Sequence, residues 1–159
     1  MPKLVKLEET LADNSLIVEA GSELPADTTN ALLPLELFLE HADKLESAGV
    51  VLSSDEDVYA LEPYLGKITV VACQFDAFAD GRSFSQARIL RDHLEFSGDV
   101  RAVGAFIQDQ LHYLLRCGFS EFSVADDTDE TLMRESMNDF SESYQAACDN
   151  AAPLFRRRA

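Results

Sequence analysis

The chain is short of positive charge. Thirteen Lys and Arg stand against 29 Asp and Glu, for a net charge of −16. Such an excess favours solubility and argues against general binding to nucleic acid or to an anionic membrane surface, since both would repel it. Cysteine is scarce as well. Cys73, Cys117 and Cys148 are far apart and odd in number, and no two form a CxxC pair. Neighbouring thiols therefore offer no metal or cluster site. The sequence has no apolar run of membrane length and no signal peptide, which points to a cytoplasmic protein with reduced thiols. It also lacks GxGxxG, GxxxxGK, HExxH and GxSxG. Nicotinamide, flavin, haem or cluster chemistry would each need a recognisable site, so no cofactor is expected.

What is present reads as one folded domain. A chain of 159 residues with 47% apolar content is long enough to bury a substantial core. Residues 1–30 read as an N-terminal arm that pairs with a sheet edge or a partner chain, with one short strand at Ser15–Ala20. Residues 31–150 read as the domain and 151–159 as a tail carrying Arg156, Arg157 and Arg158. Pro34 suits a first helical turn, and Leu35, Phe38, Ala42 and Leu45 follow at helical spacing, ending near Gly49. Val50–Leu52 is a short strand. Ser54 is placed to cap a helix with an acidic first turn, ended by Pro63 and Gly66. Ile68–Phe75 is β-branched and nearly continuously apolar, as a strand of a parallel sheet should be. Two further strands, Val100–Ile107 and Glu121–Ala125, each precede a helical pattern.

Four strand–helix repeats predict an α/β domain with a largely parallel sheet and right-handed crossovers. Two architectures fit: an open doubly wound sheet, or a half-barrel of four βα units. The open sheet is preferred, because a lone half-barrel leaves two edges exposed. The last helix carries Met133, Met137, Phe140, Tyr144 and Ala147 at steps of four and three. That stripe packs on the sheet or, on the other reading, meets a second chain in a homodimer.

The stretch from Asp80 to Phe119 holds most of the legible chemistry. Ser83 and Gln86 have the spacing of a capping box, Phe84, Ala87, Leu90 and Leu94 recur at helical spacing, and Gly98 stands where a C-terminal cap would sit. Five of the bases lie here, all arginine: Arg82, Arg88, Arg91, Arg101 and Arg116. Five acids balance them, so the surplus of negative charge lies elsewhere. The sharpest candidate site is for a small oxyanion. Arg82 is a bidentate donor, Ser83 and Ser85 lie at a helix start whose free N–H groups attract anions, and Gly81 permits close approach. The opposing reading is a capped helix with Asp80 and Arg82 paired at the surface and the other arginines paired with nearby acids. Arg101 lies on a strand, on the same face as Val103, and needs a partner such as Asp109 or Asp80. Gly104 marks a close approach or a bulge. Cys117 ends a helix, where the dipole disfavours a thiolate. His93 and His112 lack a second histidine at ligand spacing.

The string DGRSFSQARILRDHL, followed by GDVRAVG, DQL and RCGF, resembles an uncharacterised bacterial family. Its members are described as oxidoreductases of sulfite reduction, because their genes lie beside those for assimilatory sulfite reductase. The resemblance runs from LPLELFLEH near Pro34 to DFSESYQ near Tyr144. Ala105 stands where relatives carry an acid after RAVG, and Gln74 where they tend to carry aspartate. The resemblance implies a place in sulfur assimilation. With no cofactor motif beside it, the expected role is an accessory that binds a partner enzyme such as sulfite reductase, or a small oxyanion. The alternative is an oxidoreductase that takes electrons from a partner protein.

Overall fold

A computed structural model describes residues 2–77 and 79–138. Eight strands form one sheet: β1 (Lys3–Val5), β2 (Thr10–Ala12), β3 (Leu16–Ile17), β4 (Ala31–Pro34), β5 (Ala48–Leu52), β6 (Ile68–Phe75), β7 (Asp99–Gly104) and β8 (Glu121–Val124). Their order is β2-β1-β8-β7-β6-β5-β4-β3. From β3 to β8 neighbouring strands are parallel, while β1 runs antiparallel to β8 and β2 antiparallel to β1. Helical segments follow the parallel strands: α1 (Leu35–His41), a 3-10 helix (Val58–Lys67), α2 (Arg82–Arg88) extended by a π turn at Ile89–His93, α3 (Leu111–Cys117) and α4 (Glu130–Met137).

This order corrects the preference for a doubly wound sheet. The parallel strands follow one another in sequence without a reversal, and right-handed crossovers then carry every helix to the same side. The sheet is a half-barrel with helices on its convex face. Ala31–Pro34 is in addition a strand directly ahead of α1.

The curl follows from chain length. A flat sheet of eight strands would hold its outer strands about 34 Å apart. Yet β2 ends at Ala12 and β3 begins at Leu16, and four residue steps reach about 14 Å at most. The two outermost strands are therefore drawn together, and residues 13–15 cross the open side of the sheet as a strap.

Alternation sorts the strand residues between the faces. Val5, Leu33, Val50, Leu52, Val71, Cys73, Phe75, Val100, Ala102 and Phe122 join the helices in the main core. Leu32, Ala72 and Val103, with Val51 and Val70 against them, form a small second cluster. Met133 and Met137 of α4 are buried in the main core, so this end of the helix packs on the sheet. Phe140, Tyr144 and Ala147 lie outside the described residues.

Several local expectations change. The capping box does not form: Gly81 is the N-cap of α2 and no side chain caps it. Asp57 rather than Ser54 caps the segment after β5, accepting from the Tyr59 N–H, and that segment is a 3-10 helix that runs through Pro63. Glu95, not Gly98, takes the left-handed conformation after the π turn, with φ of 52°. Gly118 does close α3 in that conformation, at φ of 111°.

Candidate functional site

In α/β sheets of parallel strands, ligands and partners are met at the carboxyl ends. Here four loops gather there, after β5, β6, β7 and β8. The first brings Asp55, Glu56 and Asp57, the second Asp76 and Asp80, the third Asp109, and the fourth Asp126, Asp127 and Asp129. None of the four carries a Lys or Arg. The end of the barrel is a rim of carboxylates.

Much of the polar chemistry beneath the rim holds loops in place. The buried Ser83 hydroxyl donates to the Gln74 carbonyl at 2.7 Å, tying the start of α2 to the end of β6. Buried Gln86 donates through Nε2 to the carbonyls of Ser53 at 2.7 Å and Glu56 at 3.2 Å, so α2 also fixes the loop after β5. The Ser53 N–H in turn donates to Glu56 Oε2 at 2.7 Å. Ser54 Oγ donates to Asp76 at 3.3 Å and Gln74 Nε2 to the same carboxylate at 3.0 Å. The bonds of Ser83 and of Gln86 Nε2 satisfy groups that would otherwise be left unpaired beside the core, while Gln86 Oε1 stays buried without a partner.

The candidate oxyanion residues take separate roles. Arg82 forks onto Asp80, with Nε to Oδ1 at 3.0 Å and Nη2 to Oδ2 at 2.7 Å. The guanidinium and its own N–H hold the Asp80 carboxyl well below the usual carboxylate range. Gly81 is exposed at the cap, and Ser85 lies one turn along, facing a groove of about 300 Å³ between α2 and α3 with Arg88, His93 and Tyr113.

The other arginines occupy different faces. Arg88 pairs with Asp92 at 2.9 Å on the outside of α2. Arg91 donates to the carbonyls of Gly118, Phe96 and Gly98 at 3.0, 2.7 and 2.7 Å, and braces two turns. Arg101 is buried on the open face of the sheet. Its partners are Glu121 at 2.8 Å, Ser15 Oγ at 2.6 Å and Asp13 at 3.5 Å, in place of the anticipated Asp109 or Asp80. Asp13 also accepts from Ser123 Oγ at 2.7 Å, and Lys6 reaches Glu121 at 2.9 Å. Arg101 thus pins the strap across the half-barrel. These partners lie far off in sequence, and no local pattern points to them.

Gly104 makes a close approach. Its φ is +94°, and a Cβ there would stand 2.4 Å from the Phe75 carbonyl oxygen. That oxygen accepts from the Ala105 N–H at 2.8 Å, which brings the loops after β6 and β7 together. Phe75 supports both, packing against Phe84, Phe106 and Phe119 at 5.3, 6.2 and 5.8 Å. Cys73 is fully buried, and burial pushes its thiol up to about 12. Cys117 is buried too. His93 shares a 2.6 Å hydrogen bond with the Tyr59 hydroxyl, and His112 one of 3.1 Å with the Met137 carbonyl. Among the described residues no group of three or more His, Cys, Asp or Glu side chains is arranged to hold a metal ion, and no helix is long and apolar enough to cross a membrane.

Residues 49–155, which include the strands and loops of this rim, match the model of a family described as bacterial protein of unknown function (DUF934). The chain belongs to that family. No curated protein and no solved structure matches it. The matched span begins inside β5, so the strap and its anchor at Ser15 lie ahead of the part that defines this DUF934 protein, while Arg101 lies within it.

Proposed function

We propose that this protein is a non-catalytic accessory of assimilatory sulfite reduction, acting by docking on a partner enzyme. The observation that carries the reading is the carboxyl-end rim. Its polar groups Ser83, Gln86 and Gln74 donate to loop backbone and to Asp76, although Gln86 Oε1 is buried without a hydrogen-bond partner, and its outward groups are mostly carboxylates. Such an arrangement suits recognition of another surface better than acid–base or nucleophilic work, which needs a reactive group held free beside a substrate. The pathway comes from the resemblance of DGRSFSQARILRDHL and GDVRAVG to relatives encoded beside sulfite reductase.

Binding of a small oxyanion through Gly81, Arg82, Ser83 and Ser85 is the weaker arm of the proposal. It asks Arg82 to leave Asp80 and an anion to enter an acidic rim. Soaking with sulfite or sulfate and finding density beside Arg82 would favour it. The oxidoreductase alternative predicts visible absorbance from a flavin, haem or cluster in the purified protein. The deciding experiment is growth of a deletion strain. Slow growth on sulfate that cysteine restores is expected, and equal growth on both would overturn the accessory reading.

A further inference from the structure

Beside the loops after β7 and β8, the rim adds exposed apolar side chains to its carboxylates. Ile107, Leu132 and Tyr113 are 45, 48 and 59% exposed. All three rest on fixed supports. The Ile107 N–H donates to Gln110 Oε1 at 3.1 Å, and Gln108 bridges to the Leu132 carbonyl at 3.2 Å and to Ser136 Oγ at 2.8 Å. Tyr113 lies 5.1 Å from Phe84, which packs on Phe75. Single exposed aliphatic residues need no explanation. Ile107 and Leu132, held on fixed backbone among the exposed Asp109, Asp126 and Asp127, have the make-up of a recognition surface, with anchors inside and a charged margin outside, while Tyr113 stands to one side in the groove with Arg88.

We propose that this part of the rim docks a protein surface in which Lys and Arg surround an apolar centre. The inference rests on the accessory reading and gives it a location and a partner chemistry. Charge chooses the occupant. A second copy would set one acidic rim against another, in a molecule of net charge −16. A basic surface would instead be steered in, with an association rate that falls as salt rises.

The test uses the full chain and purified assimilatory sulfite reductase, with binding followed at about 50 mM and about 300 mM salt. Wild-type protein is expected to bind, more weakly at the higher salt. Leu132→Lys, and separately Asp109→Lys with Asp127→Lys, should each weaken binding about tenfold or more. Asp43→Lys with Glu46→Lys, exposed after α1 at the opposite end of the sheet, should leave it within about twofold. Should Leu132→Lys disturb the fold, the paired aspartate reversal carries the test, with melting temperature as the check. Undiminished binding by the rim variants would overturn this surface and leave the accessory reading intact. Absence of wild-type binding would overturn both. A concentration-dependent dimer that Leu132→Lys breaks would overturn the proposal in favour of self-association.

Discussion

The two faces of the sheet solve the same burial problem by different chemistry. On the convex face, helices cover a continuous apolar layer in which Phe38, Phe75, Leu90, Leu114 and Phe122 are almost wholly inaccessible. On the open face no helix of the described residues is available, and the cover they supply is a short strap. Arg101, Glu121 and Asp13 meet there, with Lys6 beside Glu121. The apolar layer is non-directional and tolerates many sequences, whereas the ionic cluster demands particular partners in particular places. Strap position is therefore specified by charge, and the barrel wall by volume.

Removing volume from one face and charge from the other should do comparable damage by different routes. Phe122→Ala is expected to lower unfolding free energy by about 3–5 kcal/mol, through lost transfer energy and a cavity beneath Phe106. Arg101→Ala should cost about 3–5 kcal/mol, because Glu121 and Asp13 would remain buried without their partner. The comparison sharpens in the double variant Arg101→Met with Glu121→Leu. It should recover part of the loss, since exchanging a buried pair for apolar groups is often neutral, while Asp13 and Lys6 still lose their partners. No equivalent rescue exists for the cavity. Urea unfolding measures all three, and equal stabilities for the single and double arginine variants would refute the distinction.

The faces also differ in how readily the sequence discloses them. Period-two and near-continuous apolar patterns at Ile68–Phe75 and Glu121–Ala125 placed the strands, and helical spacing at Met133 and Met137 placed α4 on the core. Those signals are local. The half-barrel was legible only as one of two options, because strand order depends on pairing between distant segments. Arg101 was legible as a residue in need of a partner, but Ser15 is 86 positions away. In the candidate site, Ser83 and Gln86 matched a capping pattern yet were drawn instead to the ends of β5 and β6, where carbonyls would otherwise be unpaired. A tertiary demand displaced a local one. The acidic loops could have been found by counting charge per loop once the strands were assigned.

Backbone conformation gives a smaller test at the join between the two loops. Gly104→Ala would put a methyl against the Phe75 carbonyl in a left-handed conformation, and a loss of about 1–3 kcal/mol is expected. Gly81→Ala meets nothing within 4 Å and has an ordinary negative φ, so it serves as the matched control. Similar losses at both positions would show that the close approach at Gly104 is not what holds the loops together.

Acid should loosen the open face before the convex one. Burial alone would raise the Asp13 carboxyl, but bonds from Ser123 and Ser15 and the charge of Arg101 outweigh it and hold the group below its ordinary 3.8. A depressed carboxyl contributes stability that is present above the unfolded value and lost as pH falls through the folded one. Asp13→Asn should therefore lower stability near neutrality and flatten its decline below about pH 4. A decline as steep as wild type would move the acid sensitivity elsewhere.

The smallest effect belongs to a pair that looks much like Arg101–Glu121 on paper. Arg88 and Asp92 stand 2.9 Å apart, but their side chains are 42 and 40% exposed, against 7 and 4% for the open-face pair. Water screens the outer pair and side-chain entropy opposes it, so Arg88→Gln should change stability by no more than about 0.5 kcal/mol. Charge specifies structure on the open face because little solvent reaches the pair there to replace a missing partner. A loss at Arg88 as large as at Arg101 would mean that separation alone, rather than burial, sets the strength of these pairs.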